Sequence, residues 1–150
     1  MHIAMIGHKR YGSREGGVEV VVTELACRMA ALGHNVVCYN RSGHDVMTGD
    51  IDDSSQTTDG VQIVPVKTID AKGLAALSSS FFATIKAIQQ RPDVIHYHAG
   101  GPCVPLRLAH WAGIRTIATI HGLDWQRAKW GRLASAYIHM GGTHCGKIRR

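Results

Sequence analysis

His2-Ile3-Ala4-Met5-Ile6-Gly7 runs into His8-Lys9-Arg10-Tyr11-Gly12-Ser13-Arg14-Glu15-Gly16-Gly17-Val18: a short apolar run, a glycine-rich basic loop, then a helical pattern. The apolar run reads as a strand buried on both faces, as parallel strands are. Beyond Gly17 the apolar positions Val18, Val22, Leu25, Met29 and Leu32 mark one face of a helix, and Gly33 stops it. A second strand is expected at 35–39.

The same alternation continues down the chain. Residues 41–60 are polar, with clustered Gly, Ser, Thr and Asp, and predict a long surface loop. A third strand is expected at 61–66. Leu74, Leu77, Phe81, Ile85 and Ile88 predict an amphipathic helix, broken by Arg91-Pro92-Asp93. Residues 94–98 form a fourth strand. Pro105 suits the first turn of a third helix, which Gly113 ends, and 115–121 form a fifth strand. Trp130, Leu133, Ala134, Tyr137 and Ile138 form a last helical stripe. Strands alternating with helices predict an α/β chain with a doubly wound parallel sheet and right-handed crossovers. Residues 141–150 have no periodicity and predict an irregular basic tail.

Composition sets the outer bounds. A chain of 150 residues with 45% hydrophobic residues holds one domain with a core of its own. The formal charge of +6 favours anionic partners, yet the few aromatics show no stacking pattern, so nucleic acid is not expected. Cys27, Cys38, Cys103 and Cys145 form no C-x-x-C pair and fit neither a zinc site nor a disulfide framework; they read as reduced thiols. No segment approaches the ~20 apolar residues of a membrane span. The expected location is cytoplasmic, with at most peripheral membrane contact.

Ligands of open α/β sheets bind beyond the carboxyl ends of the strands. Those ends carry 7–17, 40–42, 96–101 and 121–124. The first loop fails the dinucleotide fingerprint, because Lys9 stands where a second glycine is needed, and it lacks the Gly-Lys-Ser/Thr of a P-loop. Gly16 and Gly17 remain, just before a helix N-terminus, where backbone N–H groups favour an anion; the plain alternative is a turn into the helix. His96 and His98 share one strand face, and with no third ligand evident a hydrogen-bonding role outweighs a metal pair. His121 follows the fifth strand and could hydrogen-bond a substrate hydroxyl, or be a core histidine. Asp124 reads first as a helix cap. Arg127, Lys129 and Arg132 interleave with Trp125 and Trp130, which fits a solvated basic face or docking to an anionic membrane surface.

The opening 2–7, Tyr11-Gly12, Gly16-Gly17-Val18-Glu19 and above all His121-Gly122-Leu123-Asp124-Trp125-Gln126-Arg127-Ala128-Lys129-Trp130-Gly131 resemble glycosyltransferase family 4, most closely its bacterial rhamnosyl- and exopolysaccharide-transferase branch. The resemblance covers roughly residues 1–140. It implies one Rossmann-like half of a GT-B enzyme, the N-terminal, acceptor-side domain. It implies transfer of a sugar from a nucleotide sugar to a saccharide or lipid-linked acceptor, with retention of configuration and no metal or other cofactor. By resemblance, Gly16 and Gly17 lie near the donor phosphates and His121 is the catalytic contact to the transferred sugar; from their places beyond the strand ends, His98 and Asp124 are expected to shape the substrate cleft.

One departure counts against completeness. The family's donor domain carries two glutamates eight positions apart, whereas this chain holds only Glu15, Glu19 and Glu24. From about Gly141 the sequence leaves the family pattern and reads as a truncated end. The expectation is a domain that is inactive without a separate donor-binding half. Two rivals stand beside it: a non-catalytic module that pairs with a donor-binding chain, and a nucleotide-dependent oxidoreductase.

Overall fold

The computed structural model describes residues 1–42, 55–69, 71, 74–98 and 105–121. Their elements follow in the order β1 (His2–Ile6), α1 (Gly17–Ala31), β2 (Asn35–Arg41), β3 (Gln56–Thr58), β4 (Val61–Val66), α2 (Ala75–Gln90), β5 (Val94–His98), α3 (Leu106–Trp111) and β6 (Arg115–Thr119). The six strands form one sheet in the order β3-β4-β2-β1-β5-β6. Every neighbouring pair is parallel except β3 with β4. The doubly wound sheet expected from the alternation, and the Rossmann-like half that the resemblance implies, are therefore what forms.

Both faces of the central strands β1, β2 and β5 are covered, which explains their largely apolar sequences. Ala4, Ile6, Val37, Tyr39, Val64, Val66, Ile95 and Tyr97 pack under α2 and α3, with Ala83, Ala87, Leu106 and Ala109. Ile3, Met5, Val36, Cys38 and Val61 pack under α1, with Val22 and Ala26. Val18, Leu25 and Met29 flank that second cluster as expected, but Leu32 lies exposed past the end of α1. Helix α1 closes with the paired bonds of a Schellman cap: Gly33 N–H to Ala30 O and His34 N–H to Met29 O, with Gly33 at φ 83°. Helix α3 ends the same way, around Gly113 at φ 77°.

Three features correct the expected layout. The loop proposed for 41–60 contains a strand, β3, that turns back on β4 through Asp59-Gly60. Both turn residues have positive φ (53° and 75°), the backbone of a two-residue hairpin. The face of α2 is also different. Leu74, Phe81 and Ile85 are exposed, and the buried residues are Ala75, Ser78, Ser79, Ser80, Ala83, Thr84 and Ala87. Small side chains let the helix lie close against the sheet. Their hydroxyls bond backwards to carbonyls three or four residues earlier, as in Ser80 Oγ to Leu77 O and Thr84 Oγ1 to Ser80 O, so burial leaves them satisfied. Finally, β6 stops at Thr119, so His121 stands two residues beyond the strand. Among the described residues, no helix is long and apolar enough to cross a membrane.

Candidate functional site

The carboxyl ends of β1, β2, β5 and β6 meet at one end of the sheet. There β1 passes so close to β5 that a Cβ on Gly7 would collide with the carbonyl oxygen of His98, and Gly7 itself has φ 122°. Both facts demand glycine. His8 follows and is buried, with 1% exposure. Its Nε2 lies 3.1 Å from Asn40 Oδ1, which also accepts the Tyr11 N–H at 2.8 Å. A backbone N–H can only donate, so this atom of Asn40 is the acceptor and His8 Nε2 carries the proton. Burial pushes the His8 pKa down to about 4, against smaller upward contributions from Asn40 and Glu19.

The glycine-rich loop is tied down along its length. Glu19 Oε1 accepts the Lys9 N–H at 3.1 Å, Lys9 O accepts the Arg41 N–H at 2.9 Å, and Thr23 Oγ1 accepts the Gly12 N–H at 2.9 Å. Glu19 is buried although it carries a carboxylate, and it sits so near Gly16 that a Cβ there would strike its side-chain oxygen. Gly16 is the N-cap of α1, in extended backbone, and makes no side-chain capping bond. The first-turn N–H groups of α1 are thus offered to whatever lies before the helix. Gly17 has open space where a side chain would begin, so packing does not explain its lack of one.

Across the site stand three histidines. Because Ile95 and Tyr97 face α2 and α3, His96 and His98 face the α1 side. The β5–β6 register pairs His98 with Thr119, which puts His121 next on the same side. His98 Nδ1 lies 3.1 Å from His121 Nε2, with the rings stacked at 5.4 Å and 22°. The His96 and His98 rings are 4.1 Å apart, and His96 Nε2 meets Thr119 Oγ1 at 2.8 Å. Burial, then the neighbouring imidazoles His96, His121 and His8, push His98 down to about 3; burial and His121 lower His96 as well. Both are neutral rings near neutral pH. Among the described residues no three His, Cys, Asp or Glu side chains are grouped to hold a metal ion.

The structure thus brings His98 and His121 into contact and sets Gly16 and Gly17 at the same end of the sheet. Asp124 and the run around Trp125 and Trp130 lie outside the described residues, as does the tail from 141. Sequence reasoning gave His8 and Glu19 no role of their own in the site and read Asn40 only as a strand end without the acidic residue of a dinucleotide fold. Their positions at a strand end, a strand end and a first helical turn were visible, but burial and pairing depend on how the loop folds back. An open cavity of about 890 Å³ lies at the opposite end of the strands, lined by Arg91, Asp93 and Arg115 among others. It holds none of the histidines, and ligands of such sheets bind at the other end.

The oxidoreductase alternative loses ground here. The loop from 8 to 16 is a long, internally bonded structure rather than a tight turn. Asn40, where a dinucleotide fold would present an acidic residue to ribose, is engaged with His8 and Tyr11.

Comparison with known proteins agrees with this geometry. No curated protein matches the chain. Among solved structures, sucrose-phosphate synthase from Thermosynechococcus elongatus superposes with a TM-score of 0.57 at 16% identity, over 95% of this chain. The chain spans 39% of that protein's length. The match shows a shared fold, that of a GT-B half. The family model of Glycosyltransferase Family 4 matches residues 15–145. The chain belongs to Glycosyltransferase Family 4 and is a Rossmann-like glycosyltransferase domain.

Proposed function

We propose that this domain, spanning 1–140 with a basic tail at 141–150, is the acceptor-side half of a retaining glycosyltransferase. It would work on a nucleotide-sugar donor and a saccharide or lipid-linked acceptor, as in the rhamnosyl- and exopolysaccharide-transferase branch of the family. The observation that carries this reading is the placement of an uncapped helix N-terminus at Gly16 and the His98–His121 pair at the same end of one sheet. The N-terminus suits the donor diphosphate. His121, catalytic in this reading, is exposed enough to meet a sugar hydroxyl, and its ring orients that hydroxyl as positive charge grows at the anomeric carbon. His98 shapes the cleft floor beneath it, and Asp124 is assigned to the same cleft from its motif. No metal or other cofactor enters this scheme.

The donor grip is the missing half of the reading. The three glutamates Glu15, Glu19 and Glu24 cannot supply a pair eight residues apart. We therefore assign nucleotide affinity to a separate donor-binding domain or chain, and expect the isolated 150 residues to transfer no sugar. The location that fits is the cytoplasm, with peripheral contact to an anionic membrane through the basic and aromatic residues after 124. The exposed Leu74, Phe81 and Ile85 of α2 are compatible with that contact.

The test is a transfer assay with labelled nucleotide sugars and saccharide or lipid-linked acceptors, with and without a co-expressed donor half of the family. Product of retained configuration only in the paired sample supports the reading. Turnover by this chain alone overturns its inactivity, and no turnover by either sample, with both halves folded and associated, counts against the transferase assignment of the site.

A further inference from the structure

We propose that His98 is a positioning residue that holds His121 in the tautomer with its proton on Nε2, and that His8 and Asn40 set the direction of this bond from beneath. The proposal rests on the reading that His121 meets the sugar. The starting point is the 3.1 Å contact between His98 Nδ1 and His121 Nε2, two atoms of which only one carries a proton when both rings are neutral. Which one depends on the far side of His98.

The His98 ring has little freedom. It is fully buried, stacked on His121 and in tilted contact with His96, and its own backbone carbonyl is pressed against Gly7. Its Nε2 is buried with no hydrogen-bond partner among the described residues, and the same holds for His8 Nδ1. His8 follows Gly7, which abuts the backbone of His98, and its ring disfavours charge there. The state of His8 is fixed. Tyr11 N–H and His8 Nε2 both point at Asn40 Oδ1, which leaves His8 Nδ1 as a bare lone pair.

Buried polar atoms are rarely left without partners, and two lone pairs in one low-dielectric region repel. The complement to a lone pair on His8 Nδ1 is a proton on His98 Nε2, acting through one intervening hydroxyl that accepts from His98 and donates to His8. His98 Nδ1 is then bare and accepts from His121 Nε2–H. The bonds run in one direction: His121 Nε2–H to His98, His98 Nε2–H toward His8, His8 Nε2–H to Asn40. The Nδ1 lone pair of His121 is left as the acceptor for a substrate hydroxyl. Without His98, an exposed imidazole divides its time between tautomers and presents that lone pair only part of the time.

The test is nitrogen–proton correlation of the imidazole rings in the ¹⁵N-labelled 150-residue chain near neutral pH, where protonated and bare ring nitrogens differ widely in shift. The wild-type chain is expected to show His121 Nδ1 bare and Nε2 protonated. In His98→Ala both His121 nitrogens move to averaged positions. In His98→Asn, whose side-chain oxygen can accept where Nδ1 did, the single tautomer returns. An averaged or opposite tautomer in the wild-type chain overturns the proposal, as does a His121 signature unchanged in His98→Ala. If His98→Ala does not fold, the wild-type spectrum still decides. The measurement contains no sugar, so a chain that shows this tautomer but transfers no sugar when paired with a donor half fails the functional reading and keeps the positioning.

Discussion

The carbonyl oxygen of His98 occupies the space in which a side chain at Gly7 would begin. Strands β1 and β5 are locked at this approach, and it sets the depth at which His98 sits below the cleft. A methyl group at position 7 must push the two strands apart and also adopt a φ of 122°. Gly7→Ala is expected to destabilise the domain by about 2–6 kcal/mol, the range of overpacking and backbone strain combined. Urea unfolding measures it, and a midpoint equal to wild type would show that the approach is not tight.

Gly16 and Gly17 are adjacent but should respond differently. Gly17 has open space, so Gly17→Ala should change stability by less than about 1 kcal/mol. Its effect should fall on nucleotide-sugar binding in the paired enzyme, where the added methyl stands between the helix N-terminus and the ligand. Gly16→Ala displaces Glu19 from the Lys9 N–H and should loosen the whole loop as well. Calorimetric unfolding beside donor titration separates the two; equal stability losses would refute the distinction.

Acid stability should report the buried imidazoles. Burial pushes His8 down to about 4 in the folded chain from the usual 6.5, so below 6.5 the unfolded chain takes up a proton that the folded chain refuses. The resulting loss of stability grows as pH falls from 6.5 to about 4 and is constant below that. At about 1.4 kcal/mol per unit, His8 alone accounts for about 3 kcal/mol, and His98 adds in the same direction. His8→Gln, which can keep the bond to Asn40, should flatten the pH dependence of the urea midpoint across this window. A slope unchanged in the variant would remove His8 as its source.

Thr84 Oγ1 and Tyr97 Oη lie 3.0 Å apart in the core between α2 and β5. Thr84→Val keeps the shape and removes the hydroxyl, and should cost about 1–2 kcal/mol in thermal or urea unfolding. Neutral or stabilising behaviour would mean that this contact contributes nothing to holding α2 on the sheet.

How far the sequence carried depends on where the signal lived. Strands buried on both faces, such as β1, β2 and β5, announce themselves as apolar runs, and Gly33 and Gly113 marked two helix ends through a local backbone need. The hairpin strand β3 was hidden because Gln56, Thr57 and Thr58 are all exposed and carry no apolar alternation; only the Asp59-Gly60 turn betrays it. The face of α2 was misread because close packing against the sheet favours Ala83 and Ala87 over Phe81 and Ile85, a tertiary choice that hydrophobic spacing cannot express. In the site, alternation alone put His96 and His98 on one face. Their meeting with His121 needed the β5–β6 register, and the burial of His8 needed the folded loop.

The most direct test of the account is an amide-shift map of the ¹⁵N-labelled chain, paired with a donor half of the family and titrated with nucleoside-diphosphate sugar. The account predicts that Gly16, Gly17 and Val18 at the start of α1 move together with His121, and that Gly17→Ala weakens the response. Shifts confined to the opposite end of the strands, around Arg91 and Arg115, or no response at the start of α1 at saturating donor with the paired half present, would contradict it.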